Sequence, residues 1–208
     1  MKPQLFIFPF NGNGLEALDC INGQFEFLGF IDDTKEKQGK HEFGFEVFDR
    51  TILSEYHQAK ILAVPGSPSS YQIRDQIISE LNTDVSRFTT LIHPMASVSP
   101  LAKIGYNVLI MAGVVITANS VIGNHVCILP NTVIHHDSKV NDYTLVGSNV
   151  TIAGNSTVGN HCYIGSGTSI INGISIGDNT LIGIGSNVIK SVPSESKMVG
   201  NPAKQIIK

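Results

Sequence analysis

Charge is scarce in this chain. Asp, Glu, Lys and Arg make up 15% of its 208 residues, and the formal net charge is −3. So weak a balance gives no electrostatic footprint for nucleic acid or an anionic membrane as the main partner. Cysteine is scarcer still. Cys20, Cys127 and Cys162 show no metal-type spacing and, being three, cannot all pair within one chain, which points to a reducing, cytoplasmic setting. There is no signal-peptide pattern and no apolar run long enough to span a bilayer. What is abundant is core-forming material, 42% hydrophobic, enough for one large or two small globular domains.

The organising feature is a period of six. Counting in sixes from Val98 to Val188 gives sixteen positions, all of them Ile or Val, including Ile110, Ile128, Ile134, Ile152, Ile170 and Ile182. The position four residues further on is small or β-branched: Val114, Thr132, Ser138, Thr144, Ser156, Cys162 and Thr180 are examples. No α-helix has this period, and an ordinary strand shows only alternation. A chain that repeats a short strand and a turn does have it, which makes the segment a β-helix. The aliphatic and small residues point inward, and the residues between them form corners.

Before the repeat, strands and helices alternate. Strands are expected at Gln4–Phe10, Phe25–Ile31, Lys60–Val64 and Thr89–Ile92. Helices are expected at Leu15–Ile21, at 50–57 behind an Asp49 cap, and from Ser69/Ser70 through Leu81, with Thr34–His41 as a loop. This pattern predicts a small parallel α/β domain. The expected division is 1–94 for that domain, 95–190 for the β-helix, and 191–208 for a C-terminal cap. Val192-Pro193 is expected to end the coil, because Pro lacks a backbone donor, and the tail to cover strand edges that would otherwise stay unpaired.

Three groups of residues can carry chemistry. Gly12-x-Gly14-x-x-Ala17 follows a strand, opens a helix, and has Asp32 eighteen residues after Gly14. It matches the dinucleotide fingerprint, in which glycines let phosphate approach backbone N–H groups. A tight strand-to-helix turn has the same pattern. A full NAD site needs a second βαβ half, and the repeat begins too soon for one, so the turn suits part of a nucleotide-linked ligand. Second, His135-His136-Asp137 sits in a β-helix corner. A metal there lacks a third converging ligand, since Ala118 and Gly154 lie one coil away from His136. Solvated corner residues would look the same. A His general base oriented by a carboxylate gains weight from the stacking: Gly154 lies about 4.8 Å above His136, with no side chain to block its N–H. Third, His125, Tyr143 and His161 share a column and read as a ladder of exposed corner side chains. Neither Cys127 nor Cys162 has a base nearby to make it a nucleophile.

Several stretches then fall into one pattern: Phe10-Asn11-Gly12-Asn13-Gly14, Gly29-Phe30-Ile31-Asp32-Asp33, His93-Pro94, Val133-Ile134-His135-His136-Asp137, Ala153-Gly154-Asn155 and Gly200-Asn201-Pro202-Ala203-Lys204. In order and spacing the chain resembles the NeuD/PglD/VioB group of bacterial sugar acetyltransferases, within the hexapeptide-repeat acyltransferases. The resemblance implies an α/β, Rossmann-like N-terminal domain followed by an all-β, left-handed parallel β-helix with eighteen-residue triangular coils. It implies acetyl-CoA as co-substrate, a nucleotide-linked 4-amino-4,6-dideoxyhexose as acceptor, and a cytoplasmic homotrimer with active sites between subunits, serving surface-polysaccharide or glycan synthesis. Carried over residue by residue, His136 is the general base, Asp137 its partner, and the Gly154 amide the oxyanion donor. Ser166, Ile184, Gly165, Gly183 and Pro202 would line the cofactor groove with Gly154. Asn11, Gly12, Asn13, Gly14, Asp32, Asp33, Pro65 and Gly66 would hold the sugar nucleotide; no metal is implied. Asn13 stands where many amino-sugar members have His, so it can hydrogen-bond the sugar but cannot take a proton. Other readings are O-acetylation of sialic acid or a related sugar, and a non-catalytic nucleotide-sugar-binding trimer.

The outward strand positions sort into three columns. Lys103, Val121, Lys139, Thr157 and Ser175 read as solvated; Val115, Val133, Thr151, Ser169 and Asn187 are apolar only at the start. Leu109, Cys127, Leu145, Tyr163 and Leu181 are apolar throughout, and are expected to face a neighbouring subunit.

Overall fold

A computed structural model describes residues 1–206. The N-terminal part is a five-stranded sheet built from β1 (Gln4–Phe8), β2 (Glu26–Ile31), β3 (Gly39–Lys40), β4 (Glu46–Phe48) and β5 (Lys60–Ala63), in the order β3-β4-β2-β1-β5. β1, β2, β4 and β5 run parallel, as the alternating pattern predicts; β3 alone is antiparallel. The β3–β4 hairpin lies where only a loop was expected, because its polar, glycine-containing residues carry no strand period. The helices are shorter than expected. α1 spans Gly12–Glu16 and continues as a 3₁₀ turn, Ala17–Cys20, while α2 spans Arg74–Ser79 after a 3₁₀ turn at Tyr71–Ile73. Arg50–Ser54 is 3₁₀ only, with Asp49 accepting from the Thr51 N–H as the expected cap.

From residue 91 the chain winds as a triangular coil with three parallel sheets of two-residue strands. Each strand pairs with the one eighteen residues later, as Cys127 with Leu145 and Val133 with Thr151. Leu91–Ile92 belongs to this coil, pairing with Leu109–Ile110, not to the N-terminal sheet. Burial follows the six-residue period: the Ile/Val column from Ile110 to Val188 fills a dry interior. The buried hydroxyls beside it are satisfied by backbone carbonyls, Thr132 on Gly147 and Thr144 on Gly159 at 2.7 Å each, which removes most of the cost of burying them. From 107 to 185 each corner turns through one residue of positive φ. Asn takes that place at residues 107, 119, 131, 149, 155 and 179, since Asn tolerates the left-handed region better than most residues.

Two further expectations fail. The coil does not end at Val192-Pro193. Val192 bridges to Ile176 and Lys197 pairs with Leu181, both sixteen residues apart, so one more coil forms with two residues fewer. Pro193 fits because its carbonyl serves as acceptor for Thr180 and Ser196. The tail then folds back, Lys204–Gln205 pairing antiparallel with Lys197–Val199 at the end of the largest sheet. The final residues of the expected cap, 207 and 208, lie outside the described residues.

The second failure concerns the apolar face. Leu109, Cys127 and Leu145 are buried, and with Tyr163 and Leu181 they pack into one cluster with Leu5, Ile7, Ala17, Cys20 and Tyr71 of the same chain. The face expected to meet a neighbouring subunit is covered by the chain's own N-terminal part. The physical signal, an apolar strip that must be covered, was correct; its partner is intramolecular. The same docking buries His125, so the His125–Tyr143–His161 column is not an exposed ladder. Its rings stack at 4.6 and 4.9 Å under Phe88 and α2.

Candidate active site

His136 and Asp137 are adjacent in one corner, and the local turn brings them together. Asp137 takes the positive-φ place, at 60°, where its short carboxylate turns back toward its neighbour. His136 Nδ1 lies 2.7 Å from Asp137 Oδ2, and Asn119 Nδ2, one coil below, donates to Oδ1 at 3.2 Å. These bonds, from His136 first and Asn119 second, hold the Asp137 carboxyl below its usual range, so it stays ionised. With Nδ1 engaged as donor, Nε2 is left as the acceptor.

Gly154 lies directly over that ring. A Cβ built on it would fall 2.7 Å from His136 Nε2 and 2.8 Å from Cε1, so only glycine leaves the imidazole where it is. Among the described residues no acceptor binds the Gly154 N–H. In another corner the equivalent amide is closed off by a side chain one coil up: Asn124 N–H donates to Asp142 and Asn160 N–H to Asp178, both at 2.7 Å. A proton acceptor and a free N–H donor therefore converge at one point of the surface. Among the described residues His135, next to them, makes no side-chain bond of this kind.

Ser166 and Ile184 stack one coil apart in a different corner, Ile184 78% exposed and Ser166 half-buried. Gly165 and Gly183 beside them permit coil-on-coil approach: a Cβ on Gly165 would lie 2.6 Å from Ile184 N, and one on Gly183 2.7 Å from Val199. Pro202 lines a cavity of about 350 Å³ at the end of the coil with Ile189, Lys190 and Met198.

The glycine turn presents a mixed picture. Asn11 caps α1, its Oδ1 accepting from the Gly14 N–H at 2.8 Å, so that N–H is already used. Gly14 is buried against Pro9 O, 2.5 Å from where a Cβ would sit. Gly12 is exposed and Asn13 half-exposed. Asp32 is buried and engaged: burial pushes its carboxyl up, but hydrogen bonds from Lys37 (2.7 Å) and Thr34 outweigh that and hold its pKa below the usual value. Asp33 is paired with Arg50, at 2.5 Å. Pro65 is buried with its carbonyl on Arg74. Asn13 and Gly66 do meet, across a cavity of about 210 Å³ whose other walls are Ser67, Pro68, Leu129, Leu145, Gly147 and Tyr163. Those wall residues were not foreseen, since only docking of the two parts creates the cavity. A separate cavity, about 350 Å³ and lined by Phe27, His41 and Phe45, flanks the β3–β4 edge and contains none of these groups.

Comparison with known proteins agrees with this architecture. Residues 101–136, 119–154 and 137–172 match the bacterial transferase hexapeptide (six repeats) family. No curated protein sequence matches the chain. Among solved structures, a mutant perosamine N-acetyltransferase from Caulobacter crescentus, in complex with CoA and GDP-perosamine, superposes with a TM-score of 0.87 at 23% identity, over 100% of this chain and 98% of that one. The acetyltransferase domain of PglB from Neisseria gonorrhoeae gives 0.84 at 28% identity, covering 99% and 100%. WeeI from Acinetobacter baumannii AYE gives 0.84 at 22%, covering 99% and 100%. The coil is thus a left-handed β-helix of hexapeptide repeats. With the N-terminal α/β part it forms, over the whole chain, the fold of bacterial sugar acetyltransferases.

Proposed function

We propose that this protein transfers the acetyl group of acetyl-CoA to the amine of a nucleotide-linked 4-amino-4,6-dideoxyhexose, in the cytoplasm and for surface-polysaccharide or glycan synthesis. The observation that carries the reading is Gly154 seated over the His136–Asp137 pair. The similar structures that hold CoA, acetyl coenzyme A or GDP-perosamine support it. Asp137 keeps the Nδ1–H tautomer, so His136 Nε2 accepts the proton as the sugar amine attacks the thioester carbonyl. The Gly154 N–H donates to the oxyanion of the tetrahedral intermediate. Collapse breaks the C–S bond; the amide remains on the sugar and CoA leaves, taking up the proton as the thiol. No side chain is placed as an acyl-carrying nucleophile: burial pushes Cys127 and Cys162 up to about 12.

Each site is built between two subunits of a trimer. Within one chain the Asn13 cavity lies beside the Ser166 corner, and His136 lies in the corner at the opposite end of the Val133 side of the coil. The Leu109 face is already covered, so we place the face of half-exposed Val115, Val133, Thr151 and Asn187 and exposed Ser169 toward a three-fold axis. Cyclic closure on one face brings each of its edges against the opposite edge of a neighbour. The Ser166–Ile184 corner and Asn13 cavity of one subunit then meet His136 of the next. The acceptor amine comes from one subunit and the base from another.

Thiol release with UDP-, dTDP- and GDP-linked 4-amino sugars tests the reading. Release with an amino sugar, and none with the matching hydroxyl sugar, supports N-acetylation. Release with the hydroxyl sugar alone makes it an O-acetyltransferase, and no release with either contradicts an acetyltransferase.

A further inference from the structure

Arg74 is wholly buried, and burial pulls its guanidinium down to about 10. Its recorded bonds all go to backbone carbonyls. Nε donates to Pro65 O at 2.6 Å; Nη1 donates to His125 O at 2.8 Å and Tyr143 O at 2.5 Å. Nη2 is buried and, among the described residues, has no partner. A buried cation with no counter-ion is costly, and an apolar side chain of similar volume would fill the same space more favourably. The position therefore calls for what only a forked donor supplies.

The two arms of the fork hold different parts of the molecule. One ends on the loop that follows β5. The other ends on two coils of the β-helix, at His125 and Tyr143, where non-Asn residues are forced to φ of 57° and 60° and their rings stack almost parallel, at 4°. Asn107, the next residue down that column, ties the chain two residues before Pro65, at the end of β5: its Oδ1 accepts from Ala63 N at 2.7 Å and its Nδ2 donates to Ala63 O at 2.8 Å. Directly after these ties Gly66 is pressed between Leu145 and Arg74. A Cβ there would sit 2.7 Å from Leu145 Cδ1 and 3.0 Å from Arg74 Cδ. Gly66, Ser67 and Pro68 are one wall of the cavity that contains Asn13.

We infer that Arg74 is a positioning residue for the sugar nucleotide: by fastening the 65–68 loop to the β-helix, it fixes where the acceptor amine is presented. This rests on reading the Asn13 cavity as the sugar-nucleotide site. Arg74 touches no reacting atom, and the groove at Ser166 and Ile184 is not held by it.

The test uses Arg74→Met, which removes every donor, and Arg74→Lys, which keeps the charge without the fork. In Arg74→Met the KM for the sugar nucleotide should rise about tenfold or more, the effect expected from losing charge-assisted hydrogen bonds. Arg74→Lys should rise less, and acetyl-CoA KM should stay unchanged in both. Native-state amide exchange at Gly66, Ser67, Ser69 and Ser70 should quicken in both variants. An unchanged sugar KM in Arg74→Lys with unchanged loop exchange overturns the inference. So does a parallel rise of both KM values, which marks a general loss of structure. Should Arg74→Met fail to fold, Arg74→Lys carries the same comparison. If the wild-type protein acetylates no nucleotide sugar, the proposed function fails, and loop exchange still decides whether Arg74 holds the loop.

Discussion

Gly154→Ala separates catalysis from folding more cleanly than any other single change. The backbone tolerates it, because Gly154 does not sit at positive φ. What it meets is the His136 ring, at 2.7 Å from Nε2 and 2.8 Å from Cε1. Ordinary contact between such atoms is about 3.5 Å, so the ring must retreat by roughly 0.8 Å. His136 has 59% of its side-chain surface exposed and can move into solvent, which keeps the stability change within about 0.5 kcal/mol. Turnover has no such escape. A base misplaced by about 1 Å costs on the order of 10²-fold, and the added methyl also crowds the N–H proposed to receive the oxyanion. Steady-state thiol release and a thermal melt on the same sample make the measurement. The expected result is kcat down about 10²-fold with an unshifted melting temperature. In a His136→Ala background the same change should cost far less, because the two residues act as a unit. Near-normal turnover in Gly154→Ala would refute the stacked geometry as the seat of catalysis.

His136→Ala should lower kcat by roughly 10²–10⁴-fold, with acetyl-CoA affinity by calorimetry little changed, and His135→Ala should do much less. Val133→Asp should dissociate the proposed trimer by sedimentation and abolish transfer together, whereas Leu145→Asp should unfold the chain. Leu145 is 6% exposed between the two parts of one subunit, so that variant should lose upwards of ~3 kcal/mol in denaturant melts. The thiols of Cys20, Cys127 and Cys162 are raised by burial to about 12 from 9.0. Raised acidic groups leave the folded state binding more protons than the unfolded one at alkaline pH, so stability is full below about pH 9 and falls above it. A thiol reagent at pH 8 should label none of the three until the protein is unfolded.

The β-helix was legible because its period maps one-to-one onto space: eighteen residues is one coil, so Gly154 over His136 could be read before any coordinates. The α/β part was legible only in outline. Short 3₁₀ turns satisfy few periodic contacts, and the 39–48 hairpin is held by aromatic packing of Phe45 on Phe10 and Phe30, which leaves no trace in local pattern. Burial of the Leu109 face could be foreseen, but not what buries it, because an intramolecular and an intermolecular cover demand the same apolar strip. Asp32 shows another limit. Its spacing suits a ribose, yet Lys37, five residues on, takes its carboxylate. Arg74 was invisible as well, since an arginine at the start of a helix reads as solvated until the coil closes over it.

The central claim is acetyl transfer to a sugar amine through His136. It is tested most directly by mass spectrometry of the sugar nucleotide after incubation with acetyl-CoA and either wild-type protein or His136→Asn. The expected result is one added acetyl group, on the amine, with wild type and almost none with the variant. Equal acetylation by both proteins, or acetylation on a hydroxyl, would contradict it.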